Sequence, residues 1–492
     1  MSGDLRGSGD VAGVAGARAG LLTRTQVAAR AAYVLRGNDR GGLTVAAPWL
    51  YPHMWSWDAA FVAIGLARLS ASRALTELET LFAAQWRTGM VPHIVFSPGA
   101  PLYEPGPDRW ACREACPDAP PDPATSGILQ PPVHAVAVRR ILDAVRIADA
   151  AERRDVVGRI RALWPALLAW HRYLVAHRDP ERRGLLTLYH GWESGMDNSP
   201  RWDGPYADVV PSPQFTPFRR SDVHALAGAA AGGTAAGTAA GTAGGTGRGG
   251  AAKAGVVSGG AAQRPTDADY KRYQWLVEEL RQAGYDDARI QSTLSFQVAD
   301  VFASAIFAAA NEELAMVGDE LGLEGVDELL GHAARFRRGV IGTTDERGFA
   351  ADLNLRRGTF LRTDTIAGFA PLLCGGLEPA RQRRLMELLA SPAWCGHPGL
   401  ACAVPPSTSP AAPDFDPVRY WRGPQWPPMN WLLIWGLERC GEPDAAHRMR
   451  EATLEQLSDG VFAEYYHPFT GEPFGGRPQS WSAAVALDLL AR

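Results

Sequence analysis

The amino-acid sequence predicts an all-α protein. Three observations carry this: apolar residues recur with a helical period in about thirteen windows, period-two runs of β-branched residues are scarce, and strands do not alternate regularly with helices. The last point argues against Rossmann and TIM-barrel architectures. In chain order the windows are 23–36, 59–69, 72–88, 132–151, 155–178, 270–284, 294–314, 323–338, 364–374, 378–390, 426–440, 444–457 and 479–490. The window 155–178 shows the pattern most clearly, with Val157, Ile160, Trp164, Leu167, His171 and Leu174 on one stripe. The segments between windows are rich in Pro, Trp, Tyr and His. About a dozen helices joined by long loops can close into a double-layered helical toroid, whose loops at one end form a single pocket.

Composition narrows the chemistry. The chain has 492 residues, 46% apolar and 21% charged, as in ordinary soluble globular proteins. A net charge of −4 offers no field for nucleic acid or an acidic membrane, so neither is expected as a partner. Of the 49 basic residues only Lys253 and Lys271 are lysines. No GK[ST] tripeptide exists, which excludes a P-loop, and a Schiff-base enzyme would have to use one of those two lysines. The N-terminus shows no basic n-region and no continuous apolar h-region, and apolar runs such as Ala59 to Leu66 fall short of a membrane span. The six cysteines are sparse. Cys112 and Cys116 are spaced CxxxC, and Cys395 and Cys402 flank His397, neither being the usual zinc spacing. The reading is a cytoplasmic protein with reduced thiols, no metal and no cofactor; association into a homo-oligomer is left open.

Residues Ala225 to Ala262 stand apart: of 38 positions, 15 are Ala and 13 are Gly. Such a tract has little to bury and is costly to order, so it is expected to be a disordered insertion. It contains a formal GxGxxG, Gly245 to Gly250, but no strand precedes it and no helix follows, so the dinucleotide reading fails. The rest, 454 residues, is expected to form one catalytic domain.

Four loop segments combine aromatics with carboxylates. They are Tyr51 to Asp58 (YPHMWSWD), Trp192 to Asp203 (WESGMDNSPRWD), Tyr420 to Trp431 (YWRGPQWPPMNW), and Glu464 to Gly471 (EYYHPFTG) followed by Gln479-Ser480-Trp481. A sugar explains the mixture: its C–H faces pack on indole and phenol rings, and its polar rim needs carboxylates and amides. Cleaving a glycosidic bond needs two carboxyl groups, one to protonate the leaving oxygen and one to activate water or attack the sugar. Plainer readings exist for each residue taken singly. A Trp in a loop is often a core staple, Asp203 fits a helix N-cap, and Glu193 fits an ion-pair partner for one of the many arginines. The clustering of acids and aromatics in four loops favours a carbohydrate-active protein.

The stretch Glu193-Ser194-Gly195-Met196-Asp197-Asn198-Ser199-Pro200-Arg201-Trp202 resembles the ESGxDxSxRW stretch of trehalase-like inverting glycosidases. Trp55 to Phe61 resembles their WxWDxAF stretch, and Gly423 to Trp431 and Glu464 to Trp481 complete the set in order. Over roughly residues 25–490, apart from the Ala/Gly tract, the sequence is similar to glycoside hydrolase family 63, and within it to the bacterial branch acting on glucosylglycerate and mannosylglycerate. The resemblance implies an (α/α)6 barrel and an inverting hydrolase that splits 2-O-(α-D-glucosyl)-D-glycerate into glucose and glycerate. Mannosylglycerate, or another small α-glucoside, is the alternative. An isomerase on the same toroid would need paired histidines, and only His53 and His467 lie in the four motifs.

The resemblance also implies residue roles. Asp197 matches the general acid and Glu464 the general base. Trp55, Trp57, Asp58, Gln130 and Trp426 match the sugar subsite, His93 and Tyr103 a pocket wall, and Tyr420 and Trp421 its aromatic lining. Arg264 and Tyr270 match a loop that meets the glycerate, with Tyr51 and Gln479 as further contacts. A carboxylate calls for a cation, preferably a bidentate Arg, and the near-absence of lysine leaves Arg as that cation. The plainer reading of Arg264 is a cap or salt bridge to the next helix. The sequence departs from the family in the long Ala/Gly tract just before that loop.

Overall fold

The computed structural model describes residues 21–100, 103–218, 220 and 263–492. The Ala/Gly tract 225–262, with its GxGxxG, lies outside the described residues.

Two kinds of helix alternate along the chain. One kind is almost wholly buried: every residue of Ser56–Leu66, all but the last of Ser480–Leu490, and most of His134–Ala144, Val301–Leu321 and Pro427–Arg439. The short Pro371–Cys374, entered by a fully buried 3₁₀ turn Ile366–Phe369, belongs with them. A helix without a polar face has to be surrounded by protein. The other kind has an exposed face: Arg24–Asn38, Ala71–Ala83, Ala150–Arg178, Val326–Gly342, Pro379–Ala390 and Pro443–Gln456.

The buried helices touch one another in chain order, and Ser480–Leu490 returns to pack on Ser56–Leu66, which closes a ring. The outer helices pack around it, for example Val326–Gly342 on Val301–Leu321 and Arg24–Asn38 on Ser480–Leu490. Among the described residues this makes six inner and six outer helices, the (α/α)6 barrel expected from the sequence. The ring closes through a close approach. A Cβ at Gly65 would stand 2.4 Å from the Cα of Ala484, so the first and last inner helices meet backbone to backbone. Val301–Leu321 is long and apolar enough to cross a membrane by length and composition, but 89% of its most apolar window is buried among these helices.

All thirteen windows contain helix, with shifted ends. The window 294–314 begins too early, because residues Val298–Asp300 form a strand. Helix starts only at Val301, where the Asp300 carboxylate accepts from the N–H of Ala303 at 2.6 Å. The window 132–151 joins two helices: His134–Ala144 ends, and Asp149 caps the next by accepting from the N–H groups of Ala151 and Glu152. A four-stranded antiparallel sheet, Leu186–Leu188, Val298–Asp300, Asp352–Asn354 and Thr359–Leu361, has strands of three residues, too short to show a period of two.

The links set the position of the functional end. Inner-to-outer links are tight turns at 67–70, 145–149, 322–325, 375–378 and 440–442. Outer-to-inner links are long: 39–55, 84–133, 179–300, 343–370, 391–426 and 457–479. Every long loop therefore ends at the N-terminus of an inner helix, and the four aromatic-acid motifs all lie in or beside these loops.

Candidate active site

The long loops surround a cavity with about 630 Å³ of empty space including its open mouth. Tyr51, Trp55, Trp57, Asp58, His93, Tyr103, Gln130, Asp197, Arg264, Tyr270, Tyr420, Glu464 and Gln479 all line it. Residues from five different loops, far apart in the sequence, thus meet in one place.

Three carboxyls enter this cavity with one guanidinium. Asp197 lies just past the buried 3₁₀ turn Gly191–Ser194, partly open to the cavity yet enclosed by protein. Burial raises its pKa to about 7, opposed by the charge of Arg264 and helped by that of Glu464. Glu464 precedes the two-residue strand Tyr465–Tyr466 and is 1% exposed. Its Oε1 accepts from the hydroxyls of Tyr51 at 2.9 Å and Tyr420 at 2.8 Å, and its Oε2 from the N–H of Gly476 at 2.8 Å. Burial raises the Glu464 pKa too, while Arg264 and these three donors pull it down. Asp58, in the first turn of its inner helix, is pushed well above the usual carboxylate range, by burial first and then by Glu464 and Asp197. Burial raises both carboxyls and Arg264 lowers both; what distinguishes them is that Asp197 is held near its neutral form, whereas Glu464 also accepts from three donors that favour its anion.

The hairpin behind Glu464 leaves no spare room. Gly475 has φ +72°, and a Cβ there would lie 2.2 Å from Glu464 Oε2. Only glycine allows this turn to bring the Gly476 N–H onto the carboxylate.

The acids flanking Asp197 have other tasks. Glu193 is fully buried and accepts from Arg178 Nη1 and Nη2 at 3.0 and 2.8 Å and from the N–H groups of Leu129 and Tyr189 at 3.2 and 2.7 Å. It is the ion-pair partner that the plainer reading made it. Arg201, 1% exposed, donates to Asp300 at 2.9 Å and Asp352 at 3.0 Å, tying the same segment to the sheet and to the start of an inner helix. Asp203 pairs with Arg422. Only Asp197 of this segment presents its carboxyl to the cavity.

The walls are aromatic. Tyr103 meets Trp55 and His53 edge-on at 5.2 and 5.6 Å between centroids. Burial lowers the pKa of His93 to about 3 and of His53 to about 4, so both rings are neutral. Gln130 Oε1 accepts from the Trp57 N–H at 3.1 Å, and Gln479 Nε2 donates to Asp58 Oδ1 at 3.4 Å. The capping box of helix Asp267–Gln282 is made by Thr266 and Asp269, so Arg264 does not cap it and instead faces the cavity.

Two expected lining residues stand one layer back. Trp421 and Trp426 are each 1% exposed and stack on one another with centroids 3.6 Å apart. Trp426 packs edge-on against Tyr420 at 5.1 Å, so the pair backs the lining and does not form it. Trp421 adopts φ +59°, a left-handed conformation uncommon outside glycine, between the cavity-lining Tyr420 and the buried stack. The cavity also has walls that sequence reasoning missed. Trp192 and Trp481 lie inside quoted motifs and were within reach, whereas Trp110 and Pro105 come from a loop with no motif.

Comparison with known proteins adds to this geometry. A family model described as "Mannosylglycerate hydrolase MGH1-like glycoside hydrolase domain" matches residues 51–482. The glucosylglycerate hydrolase of Mycolicibacterium hassiacum is 50% identical over 472 residues, covering 95% of this chain and 98% of that protein. Mannosylglycerate hydrolase MGH1 of Selaginella moellendorffii is 36% identical over 459 residues, covering 93% and 84%. The crystal structure of the GH63 mannosylglycerate hydrolase from Thermus thermophilus in complex with Tris and D-glycerate superposes with a TM-score of 0.80 at 35% identity, covering 95% of this chain and all of that one.

Proposed function

The chain belongs to the MGH1-like glycoside hydrolase family, and from that premise we propose that it hydrolyses 2-O-(α-D-glucosyl)-D-glycerate to glucose and D-glycerate with inversion. The observation that carries this is the pair of buried carboxyls in one aromatic cavity that also holds Arg264: Asp197, raised to about 7, and Glu464, which accepts from three donors that favour its anion. In this reading Asp197 gives its proton to the glycosidic oxygen as the C–O bond breaks. Glu464 takes a proton from a water that attacks the anomeric carbon from the opposite face. The sugar ring packs on Trp55 and Trp57 with its hydroxyls toward Asp58, Gln130 and Gln479. The glycerate carboxylate pairs with Arg264, with Tyr51 and Tyr270 beside it. The described residues are read as one catalytic domain.

Glucose is preferred to mannose at the cleaved position because the relative at 50% identity is named for glucosylglycerate. The family model and the relative at 36% are named for mannosylglycerate, which keeps that epimer as the second reading. A kinetic comparison of the two glycosides, with trehalose and kojibiose as controls, decides between them. Glucosylglycerate is expected to have the highest kcat/KM, and proton NMR of the first-formed sugar is expected to show the β-anomer. Release of the α-anomer would refute inversion.

The acid and base also set the pH profile. Asp197 must be protonated, and with its pKa raised to about 7, kcat/KM is expected to fall as pH rises through about 7. Glu464 must be ionised, and since burial raises its pKa, the acid-side fall is expected above the ordinary glutamate value of about 4.3. A profile of kcat/KM from acid to alkaline pH checks both limbs. A rate that stays flat from neutrality to alkaline pH would remove Asp197 from the role of acid.

A further inference from the structure

A continuous path joins Arg264 to the Glu464 carboxylate. Arg264 Nη1 donates to the Tyr51 hydroxyl oxygen at 3.2 Å, and that hydroxyl donates to Glu464 Oε1 at 2.9 Å. The guanidinium carbon also lies 4.1 Å from the centre of the Tyr420 ring, whose hydroxyl donates to the same Oε1 at 2.8 Å. All four residues are buried, so water screens the path little. A phenol that accepts from a cation, or carries one over its ring, is a stronger hydrogen-bond donor. Both phenols thus pass the pull of Arg264 to one oxygen of Glu464 and make it a less basic carboxylate. An anion that pairs with Arg264 cancels that pull.

We propose that Arg264 is a positioning residue for the general base, acting through Tyr51 and Tyr420, so that the aglycone carboxylate activates the base as it binds. The proposal rests on the reading of Arg264 as the carboxylate contact. It predicts that the negative charge of the aglycone raises turnover and not only affinity, in the sense that a remote part of a substrate contributes to kcat.

The electrostatics of the cavity agree. The charge of Arg264 pulls down both Asp197 and Glu464, each against the larger upward push of burial. Burial holds both phenols of the path in their neutral form. Of the other titratable groups, Asp58 is pushed well above the usual carboxylate range, His93 is neutral, and burial holds Tyr206 and Tyr273, which feel the charge of Asp197, as phenols. Tyr103 faces Tyr51. Pairing of Arg264 with an anion therefore acts on Asp197 and Glu464, and moves both toward higher pKa.

The test compares glucosylglycerate with 2-O-(α-D-glucosyl)glycerol, which lacks the carboxylate. For wild-type protein, kcat is expected to be about 10-fold higher with the charged substrate, a coupling of ordinary size. Its kcat–pH profile should also sit at higher pH than its kcat/KM profile. With the neutral analogue the two profiles should coincide, because Arg264 stays uncompensated in both free and bound enzyme. In Arg264→Gln the kcat ratio should fall to about one and the kcat/KM profile should move up. Arg264→Lys, which keeps the charge, should retain more of the ratio than the Gln variant at a raised KM. Tyr51→Phe, which keeps the cation but cuts one path, should narrow the ratio. A wild-type ratio of one with only KM changed would overturn the coupling and leave the hydrolase reading intact. Failure of the wild type to turn over either glucosylglycerate or mannosylglycerate would overturn the functional reading and the coupling with it.

Discussion

Glu464→Gln and Asp197→Asn are each expected to lower kcat by about 10²- to 10⁴-fold, the range supplied by a single general acid or base, while leaving the helical circular dichroism signal unchanged. Both amides fit their sites. In Glu464→Gln the amide oxygen can turn to the Gly476 N–H, and the amide nitrogen then faces two phenols, which can rotate to accept. At Asp197 burial raises the carboxyl pKa to about 7, so Asn stands in for a side chain already held near its neutral form. The two variants should separate on a second substrate. A glucosyl fluoride of the same anomeric configuration has a leaving group that departs without a proton. Asp197→Asn should recover much of its loss on it, because only the acid is missing. Glu464→Gln should stay slow, because the attacking water still lacks its base. Recovery by the Glu464 variant alone would reverse the assignment, and full activity of either variant on the natural substrate would remove that residue from the chemistry.

How much of this was legible in the sequence depended on how local each signal is. Amphipathic helices announce themselves, as the stripe in 155–178 did, because half of each faces water. The inner helices carry no stripe, and they were found as apolar runs whose ends were set by features periodicity does not see. Asp300 is an example: it is a strand residue and a cap at once. The acids of the motifs could be named, but not their neighbours across the fold. That Gly475 must lack a side chain is visible only once Glu464 Oε2 is found beside it. Trp110 reaches the cavity from a loop whose sequence has no distinguishing pattern. Nor does the sequence show that Trp421 and Trp426 stack on one another behind Tyr420, a contact that depends on the tertiary fold.

Glu193→Gln is expected to destabilise the fold by about 3–5 kcal/mol, as removal of one partner from a buried ion pair does. The contrast with Asp197, four positions later, gives the prediction its force. The two side-chain oxygens of Glu193 serve four donors: both terminal nitrogens of Arg178 and the N–H groups of Leu129 and Tyr189. A glutamine has one acceptor oxygen, so whichever way it turns, its NH₂ group is set against N–H groups. Arg178, 1% exposed, is left with its charge uncompensated. At Asp197 the sign is opposite. Its pKa is raised on folding, so the folded state binds the proton more tightly, and stability falls as pH rises from the unfolded aspartate value, about 3.9, toward about 7. Asn removes that cost at neutral and alkaline pH, so Asp197→Asn should be as stable as the wild type or more so, while nearly inactive. Chemical denaturation at pH 7.5, read alongside residual turnover of the folded fraction, checks both. Glu193→Gln should shift the midpoint down while its folded molecules still turn over substrate. A stable but inactive Glu193→Gln protein would place Glu193 among the catalytic groups and undo its assignment to the scaffold.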